Sequence, residues 1–234
     1  TSAFGSRHGE AAVTWLPNYH DMGLIDGLLR PFFYGGHCVV MSPIDFLKKP
    51  VRWLRAISRY RAVSSGGPNF AYDLCMRKVS DADRAELDLS CWRIAYNGAE
   101  PVRADTIASF AKVFAACGFR ERAMFPCYGL AEATLFVSGG SDDALPAQAV
   151  IDRDALEESR VVPVPPEHPK AMTLVGAGPS RVERLAIVDP TTRRRLPADR
   201  VGEIWVAGSS MASGYWRRPD VSQATFEARI ADGD

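Results

Sequence analysis

Tyr96-Asn97-Gly98-Ala99-Glu100-Pro101, followed a short helix later by Cys127-Tyr128-Gly129-Leu130-Ala131-Glu132-Ala133-Thr134, decides the fold of this chain. Each segment closes an apolar run, Trp92 to Tyr96 in one and Ala123 to Phe125 in the other, with glycine and a glutamate. At the C-terminal end of a strand this combination makes a ligand site. Glycine admits a close approach to the backbone, an aromatic covers a flat ring, and a carboxylate holds a metal ion that itself holds phosphates. Between the segments, Ile107, Phe110, Ala111 and Phe114 form the stripe of an amphipathic helix, and Gly118 stands where a C′ glycine belongs. Strand–helix–strand is a βαβ unit, so the two strands are expected to be parallel and joined by a right-handed crossover. Gly98 and Gly129 then share one edge of one sheet, in the kind of crevice where open α/β sheets bind nucleotides.

The same alternation extends upstream. Trp15 leads through Pro17 into Met22–Leu29, a buried helix, and Cys38–Met41 reads as a buried strand. Pro50 suits the first turn of a helix whose stripe is Trp53, Leu54, Ile57 and Tyr60. Ala62–Ser65 reads as a strand end, and Gly66-Gly67-Pro68 turns into a helix through Phe70 and Leu74. After Gly139-Gly140 the texture changes: residues 141–171 are polar and acidic, then proline-rich, with the character of a long loop. Short strands return from Met172, at Leu185–Val188 and Gly202–Gly208, which suggests a small antiparallel β subdomain. Residues 220–231 are expected to be helical, with Asp220 or Ser222 as the cap. The expected class is α/β: a mostly parallel sheet flanked by helices, followed by a smaller antiparallel β subdomain. The expected divisions are 1–140, 141–171 and 172–234.

Composition bounds the function. The 234 residues, 47% of them apolar, can bury one large core or one core plus a smaller one. Twenty-eight basic residues balance 28 acidic ones, so no nucleic acid or other polyanion is implied as a partner. The densest basic run, Arg193-Arg194-Arg195, reads as the tip of a surface turn. No apolar stretch approaches the ~20 residues of a membrane span, and the start is not a signal peptide. Five cysteines without a Cys-x-x-Cys pair read as buried thiols of a reducing cytoplasm. Four scattered histidines offer no metal-ligand spacing. A start without methionine and an end at Asp232-Gly233-Asp234 are expected of a piece of a longer protein.

Four segments in order carry a resemblance. Trp15-Leu16-Pro17-Asn18-Tyr19-His20-Asp21-Met22-Gly23-Leu24, the Asn-Gly-Ala-Glu-Pro segment, Tyr-Gly-Leu-Ala-Glu-Ala-Thr, and Gly-Glu-Ile-Trp-Val-Ala-Gly through Ser213-Gly214-Tyr215-Trp216 closely resemble the middle of adenylate-forming enzymes. That superfamily holds acyl-CoA synthetases, nonribosomal peptide adenylation domains and luciferases. Within it the chain is most similar to fatty acyl-AMP ligases, through the His-Asp-Met-Gly-Leu wording, Gly-Gly-Pro-Asn-Phe-Ala-Tyr at 66–72 and the extra segment before the β subdomain. The resemblance covers residues 13–230 and implies part of the N-terminal domain of such an enzyme. It implies that a fatty acid is activated by ATP to an acyl-adenylate with release of pyrophosphate. The acyl group then passes to the phosphopantetheine of an acyl carrier protein, or of a carrier domain in a polyketide or nonribosomal peptide synthase.

The resemblance also implies roles. Gly98, Ala99, Glu100 and Pro101 run along the adenine, Tyr128 packs against it, and Gly129, Leu130 and Ala131 lend backbone to the nucleotide. Glu132 helps hold Mg²⁺ on the ATP phosphates; read alone it is a helix N-terminal glutamate stabilised by the dipole. His20 stands at the boundary of acyl pocket and adenylate, with Gly23, Gly67 and Asn69 beside the substrate, while Asp21 reads as a cap. Apolar residues of 22–29 and 70–74 line an acyl tunnel or simply the core. Segment 141–171 resembles the insertion that restrains the mobile C-terminal domain and disfavours coenzyme A. Ala131 departs from the threonine of many relatives, so only a backbone role carries over.

Two family segments are missing: a Thr/Ser/Gly loop ending in lysine that grips phosphate, which Thr1–Ser6 does not replace, and the Thr-Gly-Asp that binds ribose. The C-terminal domain with its lysine is also absent. The chain alone is therefore expected to be inactive. The rival readings are a fatty acyl-CoA ligase and a non-catalytic binding module that retains the fold.

Overall fold

The computed structural model describes residues 5, 7–140, 144–231 and 233; the expectations placed on Thr1–Phe4, Ser6 and Asp234 lie outside these. Six strands, β1 (Ala11–Thr14), β2 (His37–Val40), β3 (Ser64–Gly66), β4 (Ile94–Asn97), β5 (Met124–Gly129) and β6 (Phe136–Gly139), form one sheet in the order β2-β1-β3-β4-β5-β6. All neighbours are parallel except β5 and β6, which are antiparallel. The helices of this part are a π-helix (Met22–Leu29), α1 (Arg30–Phe33), α2 (Pro43–Lys48), α3 (Val51–Tyr60), α4 (Asn69–Lys78), α5 (Asp81–Ala85) and α6 (Ala104–Phe114). The unit β4–α6–β5 is the expected parallel βαβ, and Gly118 ends its crossover with φ +81°, the left-handed conformation glycine adopts without a Cβ penalty.

Alternation along β4 sorts the two faces. Ala95 belongs to the larger core with Val13, Trp53, Leu54, Ile57, Tyr72, Ile107, Phe110 and Phe114. Ile94 and Tyr96 point the other way, into a small cluster with Met22 and Phe125. On the larger side the aromatics interlock: Trp53 lies edge-on to Tyr72 and Trp92 at 5.6 and 5.2 Å, and Phe110 is edge-on to Tyr72 at 5.0 Å. Their polar tips are satisfied within the core. Trp53 Nε1 donates to Ser65 Oγ (2.7 Å), which donates on to the Val13 carbonyl (2.6 Å), and Tyr72 Oη donates to the Tyr96 carbonyl (2.7 Å).

Four local expectations change. β1 was not foreseen, because four residues are too short to show a period. β2 is an edge strand with Val40 exposed, not a buried one. The helix at 22–29 is wound as a π-helix and buries only one face, leaving Leu24 and Leu29 exposed. Of the cysteines, Cys75 and Cys117 are buried while Cys38, Cys91 and Cys127 are half-buried, and all five are free thiols.

Beyond Gly140 the described elements are β7 (Gln148–Asp152), α7 (Arg153–Glu157), β8 (Ala171–Val175), β9 (Arg184–Val188), β10 (Glu203–Ala207) and α8 (Pro219–Phe226). β9 and β10 pair antiparallel, as expected. The segment expected to be a loop instead contains β7, which pairs antiparallel with β8, and α7, capped by Asp152 accepting from the Ala155 N–H. Its valine-proline run is laid along β7 by backbone bonds from Asp152 N to Val162 O and from Val164 N to Val150 O. Proline there lowers the entropy of the unfolded chain. Neither Asp220 nor Ser222 caps α8, which ends at Phe226; Ser222 Oγ instead accepts from the Tyr215 N–H and donates to the Arg218 carbonyl. The turn bearing Arg193-Arg194-Arg195 is on the surface.

Candidate functional site

At the C-terminal ends of β4 and β5 lies a cavity of about 350 Å³, lined in part by His20, Asp26, Tyr96, Ala99, Tyr128, Gly129, Leu130 and Ala131. Residues from three separate segments thus meet at one sheet edge, the placement the βαβ unit requires. Larger cavities occur elsewhere. One of about 780 Å³ lies among β9, β10 and Ala228–Ile230, away from both motifs. Another, of about 660 Å³, adjoins the site and shares Asp26, Leu135 and Phe136 with it.

The two glycines serve the protein's own backbone. A Cβ on Gly98 would stand 2.7 Å from the Cys127 carbonyl oxygen, so β5 itself requires glycine there. A Cβ on Gly129 would stand 1.8 Å from the Leu135 carbonyl oxygen, the acceptor of the Leu130 N–H at 2.9 Å. Gly129→Ala is therefore expected to force β5 and β6 apart, at a cost of about 1–3 kcal/mol. Thermal unfolding of the variant checks this, and a change below about 0.5 kcal/mol would contradict the close contact. Strain sits in both motifs: Ala99 has φ +66° and Thr134 φ +68°, conformations a side chain with Cβ rarely adopts.

Other expected site residues lie outside the cavity lining. A Cβ on Gly23 would come within 2.0 Å of the Pro17 carbonyl oxygen, and one on Gly67 within 2.6 Å of the Trp15 indole. Asn69 is buried, donating to the Pro101 carbonyl (2.9 Å) and accepting from Asn97 Nδ2 and the Arg103 N–H, both at 3.0 Å. It brackets β4 to α4 through its side chain. Glu100 Oε1 accepts from the Phe70 N–H at 3.4 Å.

His20 is at the cavity mouth. Its Nδ1 is 2.7 Å from Asp21 Oδ1, and Asp21 also accepts from the Met22 N–H at 2.7 Å. The same Nδ1 lies 3.3 Å from the Met22 N–H, so Asp21 and the start of the helix together fix the ring. Glu132 sits half-buried on the 3₁₀ turn Ala131–Ala133 and accepts a short hydrogen bond on Oε1 from the Tyr215 hydroxyl. That bond, followed by one from its own backbone, holds the Glu132 carboxyl below the usual range.

The sequence reading missed Asp26 and Arg30. Asp26 is buried and Arg30 half-buried, paired at 2.6 Å across one turn, and Arg30 also donates to Ser64 Oγ at 2.7 Å. Burial, then the Asp26 charge, pushes the Tyr96 phenol well above its usual value. The same two causes, in the same order, push the Cys127 thiol up to about 12, which favours its protonated form. The available signal was an aspartate and an arginine four apart in an otherwise apolar helix.

A parallel sheet with a ligand edge at β4 and β5, followed by an antiparallel β subdomain, is the fold of the N-terminal domain of adenylate-forming enzymes. The chain belongs to the AMP-binding enzyme family, whose model matches residues 1–216. It is 46% identical over 98% of its length to a medium-chain-fatty-acid–[acyl-carrier-protein] ligase of Moorena producens, of which it covers 39%. Its structure superposes on a fatty acid AMP ligase from Legionella pneumophila with a TM-score of 0.96 at 39% identity, over 100% of this chain and 41% of that one. A fatty acyl-adenylate ligase of the same organism, in complex with acyl adenylate and pyrophosphate, gives 0.91 at 40% identity, over 95% of this chain and 39% of that one. The chain thus spans about two-fifths of the length of these relatives.

Proposed function

We propose that this chain is the nucleotide-wall part of a fatty acyl-AMP ligase. In the longer enzyme a fatty acid carboxylate attacks the α-phosphate of ATP, pyrophosphate leaves, and the acyl group passes to a carrier-protein phosphopantetheine. The observation that carries the reading is the shared cavity, where Ala99 and Tyr128–Ala131 meet His20, with Glu132 on the next turn. Similarity to ligases named for fatty acids, acyl carrier protein and acyl adenylate supports the substrate class.

In this reading Gly98–Pro101 and Tyr128 hold the adenine between backbone and ring, and the Gly129–Ala131 backbone follows the phosphate side. His20, steadied by Asp21, presents an Nε2–H donor to the acyl carboxylate and keeps the anion aligned with the phosphorus. Met22, Leu135 and Phe136 exclude water at the cavity, and the adjoining 660 Å³ cavity is the route for the acyl tail. Mg²⁺ takes one or two carboxylates and completes its shell with phosphate oxygens and water. No cluster of three or more His, Cys, Asp or Glu occurs among the described residues, so the single carboxylate of Glu132 suits an ion carried by the nucleotide. When bound, the ion supplies charge neutralisation at the phosphates.

Segment 141–171 acts here as the insertion that disfavours coenzyme A, its described part pinned by β7 and the valine-proline strap. Among the described residues no helix is long and apolar enough to cross a membrane. The free thiols favour a reducing cytoplasm.

Fatty-acid-dependent ATP–pyrophosphate exchange tests the function. The longer parent should give exchange and accumulate acyl-AMP even with coenzyme A present, and the 234-residue chain alone should give none. Acyl-CoA as the product would establish the rival ligase. No exchange by the parent, with no binding of an acyl-adenylate analogue, would establish a binding module.

A further inference from the structure

The motif Ser213–Trp216 has no part in the reading above, yet it touches the site. Its loop joins β10 to α8, and three hydrogen bonds tie it to the turn that bears Glu132. The Tyr215 hydroxyl donates to Glu132 Oε1. The Ala212 N–H donates to the Glu132 carbonyl at 2.7 Å, and Thr134 Oγ1 donates to the Ser210 carbonyl at 2.7 Å. Seventy-six to 83 residues separate the side-chain partners, so the contacts link the β subdomain to the sheet edge.

Tyr215 is itself held from two sides. Its N–H donates to Ser222 Oγ at 2.7 Å, and its ring lies edge-on to Phe226 at 5.3 Å. The phenol therefore reaches Glu132 from a fixed base. Among the described residues Glu132 has no cationic side chain within ion-pair distance and no hydrogen-bond partner on Oε2. A carboxylate held by one oxygen, with the other open and no cation beside it, is arranged for a cation that arrives with a ligand.

We propose that Tyr215 is a positioning residue for Glu132, fixing its carboxylate so that Oε2 meets a divalent cation carried by nucleotide phosphates. The proposal rests on the reading of Glu132 as the metal carboxylate. It adds that the geometry depends on the β subdomain being seated against the sheet edge. Outer partners that orient a metal ligand are worth about 10–100-fold in metal affinity.

The test is Mn²⁺ titration, followed by electron paramagnetic resonance, of the longer parent with a non-hydrolysable ATP analogue. Tyr215→Phe keeps the ring on Phe226 and removes only the hydroxyl. It should weaken Mn²⁺ binding about tenfold and leave AMP affinity without metal within about twofold of the unsubstituted protein. Unchanged Mn²⁺ affinity in Tyr215→Phe, with loss in Glu132→Gln, would overturn the role of Tyr215 alone. Unchanged affinity in both variants would overturn the metal role of Glu132 and the proposal with it. An equal fall in metal-free AMP affinity would show a merely structural phenol and also overturn the proposal.

Discussion

Trp53→Ala is expected to destabilise the chain by about 3–5 kcal/mol, a large share of the ~5–15 kcal/mol that holds a typical domain together. Trp53 is fully buried where α3 meets the sheet and the α4 side, edge-on to Phe46, Tyr72 and Trp92. Removing the indole leaves a cavity among rings that are themselves wedged between helices and strands, so little can collapse into it. It also strips Ser65 Oγ of its donor, although that hydroxyl still donates to the Val13 carbonyl. Trp53→Phe separates the two effects: it keeps most of the packing and loses the Nε1 bond, so it should cost about 1–2 kcal/mol. Urea unfolding of both variants measures the difference. A loss under about 1 kcal/mol for Trp53→Ala would mean that the larger core is not organised around this residue.

The larger core was legible because its stripes are long. Ile107, Phe110, Ala111 and Phe114 announce both a helix and its buried face, and all four are buried. The βαβ unit followed from that helix lying between two apolar runs, and with it the shared edge of Gly98 and Gly129. Short or doubly used elements were not legible. β1 has four residues, too few for a period, and β7 offers only Ala149–Ile151 as an apolar run, closed off by Gln148 and Asp152. The π-helix shows the same limit: its apolar run indicates a buried helix, but Asp26 is buried against Arg30 while Leu24 and Leu29 face outward.

At the candidate site, Tyr128 to Ala131 could be read because they are contiguous at one strand end. The partner of Glu132 could not, because it comes from residue 215 through a loop of another sheet. The glycines were read correctly as positions of close approach, but what approaches Gly98 and Gly129 is the carbonyl of a neighbouring strand or turn.

Glu132→Gln in the longer parent should lower acyl-adenylate formation about a hundredfold or more while leaving the fold intact. Glutamine has the shape of glutamate, and its amide oxygen can still accept from the Tyr215 hydroxyl, so the turn Ala131–Ala133 keeps its tie to the β subdomain. The backbone bond from Ala212 to the Glu132 carbonyl does not involve the side chain at all. What the substitution removes is the negative charge, and among the described residues no group of three or more His, Cys, Asp or Glu could hold the ion in its place. The loss should therefore fall on the step in which charge on the phosphates must be neutralised and not on binding of the adenine, for which Gly98–Pro101 and Tyr128 are the proposed wall. AMP affinity without metal should stay within about twofold, and the apparent Mg²⁺ requirement of pyrophosphate exchange should rise. Glu132→Asp keeps the charge but withdraws it by one methylene from the phenol, so it should lie between the parent and Glu132→Gln. Exchange by Glu132→Gln at more than about a third of the parent's rate would place the metal carboxylate elsewhere. The glutamate would then be what its position on a short turn also permits, a structural anchor for the loop that carries Tyr215.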